Sequence, residues 1–157
     1  MPKLDTIEQI QKLEQTLHSI EAVQSRLTPK QLTIASLNRG RTPIEILAHV
    51  RSCADIWSYS IYAILATKEE PILAQINTHQ WTASLGYTKH PFTPSFQIFR
   101  INRLELLSVL RAVTEDSWQK TAIIGDRQHS VYSQVKRMTL HEVSHCKELE
   151  SIAQMHG

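Results

Sequence analysis

The sequence predicts an all-α protein, a four-helix bundle with long crossover connections. Two observations carry this. Four long segments place apolar residues at helical spacing, and only 4 Gly and 6 Pro occur in 157 residues, which argues against turn-dense all-β chains. A hydrophobic content of 41% is enough for one core, so residues 1–157 are expected to form a single domain.

The first helix is expected over Asp5 to Leu27. Asp5 can cap it and Glu8 can reach back as in a capping box. Ile7, Ile10, Leu13, Leu17, Ile20 and Leu27 then form one apolar stripe. A connection with Pro29 and Gly40 leads to Thr42-Pro43-Ile44-Glu45, a cap followed by a first-turn proline and a glutamate. Leu47, Val50, Ala54, Trp57, Ile61 and Leu65 continue this second helix to about Ala66, before Lys68-Glu69-Glu70-Pro71 stops it.

From Glu70 to Pro94 no helical stripe is sustained, and Trp81, Tyr87 and Phe92 stand among Asn, Thr, Gly and Pro. A connection of this length inside a compact domain usually covers a site, with room for a short helix near Ile72 to Ile76. The third helix follows Thr93-Pro94-Ser95, with Phe96, Phe99, Leu107, Leu110 and Val113 as its packing positions. A break over Thr114 to Gln128 holds Trp118, Ile123, Ile124 and Gly125-Asp126. The fourth helix runs from about Ser130 to Gln154, with Val131, Val135, Met138, Val143 and Leu149 facing inward.

Lys and Arg number 17 against 15 Asp and Glu, a net charge of +2. That balance, with no basic stripe, gives no footprint for a nucleic-acid partner. No stretch reaches the apolar length of a membrane span, and the polar amphipathic N-terminal segment lacks a signal peptide's apolar region, so a cytoplasmic protein is expected. Cys53 and Cys146 lie far apart with no C-x-x-C spacing, and free thiols are expected.

Eight His are the unusual feature, since each titrates near neutral pH and can bind a metal. His141-Glu142-Val143-Ser144-His145 places two imidazoles one helical turn apart on one face. A His pair four apart with Glu after the first is expected about 0.03 times by chance at this composition, so the pattern carries information. It matches the H-E-x-x-H of zinc proteases, but the continuation offers Glu148 and Ser151 where a metzincin has glycine and histidine. Twelve residues follow His145, too few for a downstream glutamate helix, and the protease reading fails. His49 is the best third ligand. It sits between apolar residues of the second helix, where an imidazole is costly without a partner, the alternative being histidines that bond carbonyls or water.

Thr42-Pro-Ile-Glu-Ile-Leu-Ala-His49, followed some ninety residues later by Met138-Thr-Leu-His141-Glu-Val-Ser-His145, resembles the DinB/YfiT-like family of metalloenzymes. Almost the whole chain fits in the order of its elements. The resemblance implies a four-helix bundle in which His49, His141 and His145 bind a divalent metal, usually zinc or nickel. It also implies small-molecule chemistry of hydrolase or thiol-transferase type.

Three neutral imidazoles leave a position open for water or a low-molecular-weight thiol. Glu142 is the candidate general base or supporting partner of the pair, the alternative being a solvated charge about 100° around the helix. Cys53 shares the face of His49, but a small buried thiol is the expected reading. His79, His90 and His129 are expected to be solvated or capping. A homodimer is expected from leftover apolar positions. The competing class is a non-catalytic bundle that binds a partner or dimerises around a structural or vestigial histidine cluster.

Overall fold

The computed structural model describes residues 3–35 and 40–156. The four apolar stripes become α1 (Lys3–Arg26), α2 (Pro43–Ala66), α4 (Phe92–Ala112) and α5 (Val131–His156), with a short α3 (Thr78–Ser84) between α2 and α4. The cap of α2 forms as its residue types require. The Thr42 hydroxyl accepts from the Glu45 N–H at 3.1 Å, and Pro43 fills the first turn, where no N–H is needed.

In the bundle α1 packs on α5 and α4, and α2 packs on the same two helices. The order around the bundle is therefore α1, α5, α2, α4, with α1 diagonal to α2 and α4 diagonal to α5. Links across a diagonal must be long, which accounts for the extended connections before α2 and α5. Leu13, Leu17, Ile20, Leu47, Ile61, Phe99, Leu107, Met138 and Leu149 meet in the shared core. Each fully buried aliphatic or aromatic side chain contributes roughly 1.5–3 kcal/mol of burial free energy.

Several local expectations are corrected. The helix suggested near Ile72 to Ile76 is absent, because Ile72–Leu73 forms β1, and the helix starts later, at Thr78, where the Asn77 side chain accepts from the Gln80 N–H at 2.9 Å. The break before α5 contains two strands, β2 (Thr121–Ile124) and β3 (Arg127–Ser130). β1 pairs parallel with β2, Ile72 opposite Ile123, and β2 pairs antiparallel with β3, Ile124 opposite Arg127. Gly125 turns the hairpin at φ +66°, and a Cβ there would come within 2.8 Å of Gln75 Oε1. α4 begins at Phe92, three residues ahead of Ser95, with Pro94 in its first turn. Asp5 lies inside the first turn of α1, and its carboxylate accepts the Tyr132 hydroxyl at 2.5 Å, joining α1 to α5. Both cysteines are free and buried, as expected.

Val143, expected in the core, is 40% exposed, and Glu142 beside it is 1% exposed. The Glu142 carboxylate receives the Arg103 guanidinium of α4 through two bonds, 2.7 and 2.5 Å long. Arg103 also donates to the Leu13 carbonyl of α1 at 3.0 Å. One ion pair thus ties α1, α4 and α5 together inside the bundle. A buried charge is tolerated only with its partner present. Glu142→Ala is accordingly expected to lower unfolding free energy by about 3–5 kcal/mol in urea denaturation. The double variant Arg103→Met/Glu142→Leu should recover most of that loss, because neither charge is then stranded.

Candidate metal centre

The site lies where α2 faces α5. His49 comes from the second turn of α2, and His141 and His145 from successive turns of α5. Their three rings converge, with centroids 4.8 Å apart for His49 and His141, 4.9 Å for His49 and His145, and 4.4 Å for His141 and His145. His49 Nε2 and His141 Nε2 are 2.9 Å apart. The Trp57 ring meets His141 edge-on at 5.1 Å and closes one side of the cluster. On another side His79, from α3, lies parallel to His49 at 5.2 Å with 7° between the ring planes.

Burial is the first cause that holds His49 down to about 4 and His141 down to about 3, and the neighbouring His145 adds to both. Both imidazoles are therefore neutral at pH 7, with lone pairs available to a cation. His145 is oriented differently. Its Nδ1 donates to Glu148 Oε1 at 2.9 Å, and Arg41 donates to both oxygens of the same carboxylate at 3.0 and 3.1 Å. A histidine whose Nδ1 carries the proton presents Nε2 as its electron-pair donor, the arrangement found behind many metal-binding imidazoles.

Among the described residues, the donor atoms that all lie within 4.8 Å of one another are those of His49, Cys53 and His141. The Cys53 Sγ is 4.0 Å from each ring nitrogen of His49. This corrects the expectation of a merely packed thiol: Cys53 borders the imidazoles, occupying in the closest donor group the place the sequence assigned to His145. Burial pushes the Cys53 thiol up to about 11, so it keeps its proton at neutral pH unless a cation displaces it.

The arrangement fits a divalent ion. Two ligands on one ion, with bonds of about 2.0–2.1 Å at angles of about 90–110°, stand about 2.8–3.4 Å apart, and the two Nε2 atoms are 2.9 Å apart. His141 Nδ1 is buried with no hydrogen-bond partner, so this ring depends on its Nε2 side for stabilisation. Neutral nitrogen donors and a sulfur donor suit zinc, nickel and related metals.

Glu142 does not fill the role the sequence suggested. Its carboxylate turns to the α1 and α4 side and is neutralised by Arg103, whereas the carboxylate in contact with the histidines is Glu148. The signal for Glu148 was present as the spacing His145-x-x-Glu148, three residues and one turn. His79 is exposed, as expected of a solvated histidine at a helix start, but its stacking on His49 had no local signal, because it depends on where α3 docks.

The family model described as the DinB superfamily matches residues 12–149. This chain belongs to the DinB superfamily. A search of curated proteins finds no match to it. Among solved structures, YfiT from Bacillus subtilis, described as a probable metal-dependent hydrolase with an unusual four-helix bundle topology, superimposes with a TM-score of 0.85. It is 14% identical over 100% of this chain and 90% of that one. The mycothiol-dependent maleylpyruvate isomerase superimposes with a TM-score of 0.73 and 16% identity, over 95% of this chain and 61% of that one. At these identities the likeness establishes that this superfamily member shares their bundle.

The depressed imidazoles make the metal-free chain acid-sensitive. Unfolded histidines protonate near 6.5, whereas His49 and His141 resist protonation down to about 4 and about 3, so the unfolded chain binds more protons between these limits. Stability is therefore present above pH 6.5 and is lost progressively as pH falls toward 4. Urea midpoints measured with a chelator over this range should fall with acidity, and the dependence should flatten in His141→Gln.

Proposed function

We propose that this protein is a divalent-metal-dependent enzyme acting on a small molecule, with His49, His141 and His145 as ligands and zinc or nickel as the ion. The observation that carries the reading is the convergence of three imidazoles, two of them held neutral by burial, beside a carboxylate that fixes the third. The descriptions of YfiT as a probable metal-dependent hydrolase and of the isomerase as mycothiol-dependent support the choice of chemistry. When bound, a divalent ion supplies Lewis acidity that makes a water or a thiol nucleophilic near neutral pH.

This chain's own residues prepare that chemistry. His49 and His141 offer uncharged nitrogens without a proton having to leave, and Glu148 accepts the Nδ1 proton of His145, keeping its Nε2 available. Arg41 neutralises Glu148 and holds it in place through one guanidinium nitrogen that donates to both carboxylate oxygens. Trp57, which is buried, covers the His141 side of the cluster, and lower water access there strengthens charge interactions.

A second reading has its own observation, the mutual approach of the His49, Cys53 and His141 donor atoms. There Cys53 is the third ligand and His145 stands beside the site. The two readings separate cleanly. In protein purified without a metal-affinity tag, about one zinc or nickel per chain is expected, lost in His49→Ala. His145→Ala should release it and Cys53→Ser should retain it, and the reverse outcome selects the cysteine reading. Metal absent from the unaltered chain even after equilibration with zinc and nickel would defeat both.

A supporting role for Glu148 gives a graded expectation. Glu148→Gln should weaken metal affinity by about 10–100-fold while leaving the fold intact, as loss of a carboxylate behind a metal-binding imidazole commonly does. Competition titration against a chromogenic chelator, with circular dichroism as a check on folding, measures both.

A further inference from the structure

Beside the histidine cluster lies a cleft of about 560 Å³ between α2, α5 and the small sheet, within the size range of small-molecule sites. The two share walls: Trp57, Thr78 and Arg137 line the cleft, Trp57 touches His141, and the Thr78 side chain lies near enough to Cys53 to favour its thiolate. Gln134 also lines it. That side chain is 1% exposed, and its Nε2 donor has no hydrogen-bond partner. A buried amide donor without an acceptor costs about 1–3 kcal/mol, so such a group points to something that satisfies it.

One helical turn further on, the Arg137 guanidinium lies over the Trp57 ring at 5.0 Å, and it forms no ion pair among the described residues. Gln134, Arg137 and His141 follow one another at spacings of three and four along α5, and so share a face. At 1.5 Å per residue, Arg137 stands about 6 Å and Gln134 about 10 Å along the helix from His141.

The charge around the cleft favours a singly charged anion. Arg137, Arg127 and Asp126 line the cleft, and His129 is held below its ordinary value by burial and by the two arginines, so it adds no charge at neutral pH. The cationic excess is one.

We infer that this cleft is a carboxylate-binding site, in which Arg137 and Gln134 together donate to the carboxylate of a small organic acid. Calling that acid the substrate rests on the metal-enzyme reading; the site itself does not. A carboxylate held there leaves the rest of the molecule, a chain of several atoms, to extend along α5 toward His141. The acid would then react at a position remote from its carboxylate. Arg137 suits this role because its planar fork matches two carboxylate oxygens and the Trp57 ring keeps its guanidinium at the cleft.

The test uses the full chain with hexanoate, hexanol and hexyl phosphate as probes, followed through the side-chain N–H signals of Arg137 and Gln134. Titrations are run on the protein as purified and after chelation, with bound metal quantified in each sample. Hexanoate should bind at least about tenfold more tightly than hexanol and shift both signals, since a charge-assisted hydrogen bond commonly contributes that much. In Arg137→Gln, an exposed position whose folding is checked by thermal melting, the preference should vanish. Equal binding of hexanoate and hexanol, no binding of either, or a preference that survives Arg137→Gln overturns the inference. Tighter binding of hexyl phosphate than of hexanoate overturns the carboxylate assignment in favour of a phosphate. A carboxylate preference in a chain that takes up no metal would uphold the cleft and defeat the metal reading alone.

Discussion

The arrangement rests on the contact between α2 and α5, where imidazoles from two helices are pressed against one another without charge. Three histidines within 5 Å of each other cannot all be protonated, because like charges at that range in a partly buried site repel strongly. The seam holds only while His49 and His141 stay neutral, and neutrality is what makes them donors. The same burial that stabilises the bundle therefore creates the chemical potential of the site. The ring order of helices makes this possible, since α2 and α5 are neighbours despite the long stretch of chain between them.

Two carboxylates on α5, six positions apart, illustrate how placement divides labour between residues of one type. Glu142 and Glu148 are each bound by an arginine, Glu142 by both prongs of the Arg103 fork and Glu148 by one Arg41 nitrogen shared between its two oxygens. Glu142 faces the α1 and α4 side, where Arg103 uses it to hold three helices at one point in the core. Glu148 lies next to His145, where Arg41, just before the Thr42 cap, holds it against an imidazole. The first pair is wholly sealed from water and the second partly open, so the first sets the cost of unfolding and the second sets the direction of one proton.

The four helices were legible because a period of 3.6 sustained over more than twenty residues leaves little freedom in the assignment. The strands were not, since Thr121–Ile124 and Arg127–Ser130 are each four residues long, too short for alternation to stand out. Along α5 the phase of the stripe was misjudged for a specific reason. Val131, Val135, Met138, Glu142, His145, Leu149 and Ile152 are all buried, at alternating spacings of four and three, the repeat of a helix that faces a core. Two members of that row are polar, and counting apolar residues alone shifted the row onto Val143. The histidine ligands were readable from residue type and spacing, but the placement of Cys53, His79 and Glu148 depends on what other elements bring to them. Cys53 shares the face of His49 whether it is a packed thiol or a neighbour of a cation; only the docking of α3 and α5 distinguishes the two.

The misjudged phase has a functional counterpart. The buried row of α5 gives one edge to the core, through Glu142, and another to the imidazole seam, through His145, while His141 sits one residue off the row, against the Trp57 ring that lines the cleft. A helix that presented only apolar side chains along this row would pack at least as well, because a buried ion pair and a half-buried imidazole both carry desolvation costs. The polar members therefore cannot be explained by stability. Arg103 offsets the cost of Glu142 by bonding two other helices, so that residue is accounted for within the fold. The return for His141 is smaller: its Nε2 bonds the His49 ring, but its Nδ1 is buried without a partner. That uncompensated cost, at the wall shared with the cleft, marks where the fold gives up stability for chemistry.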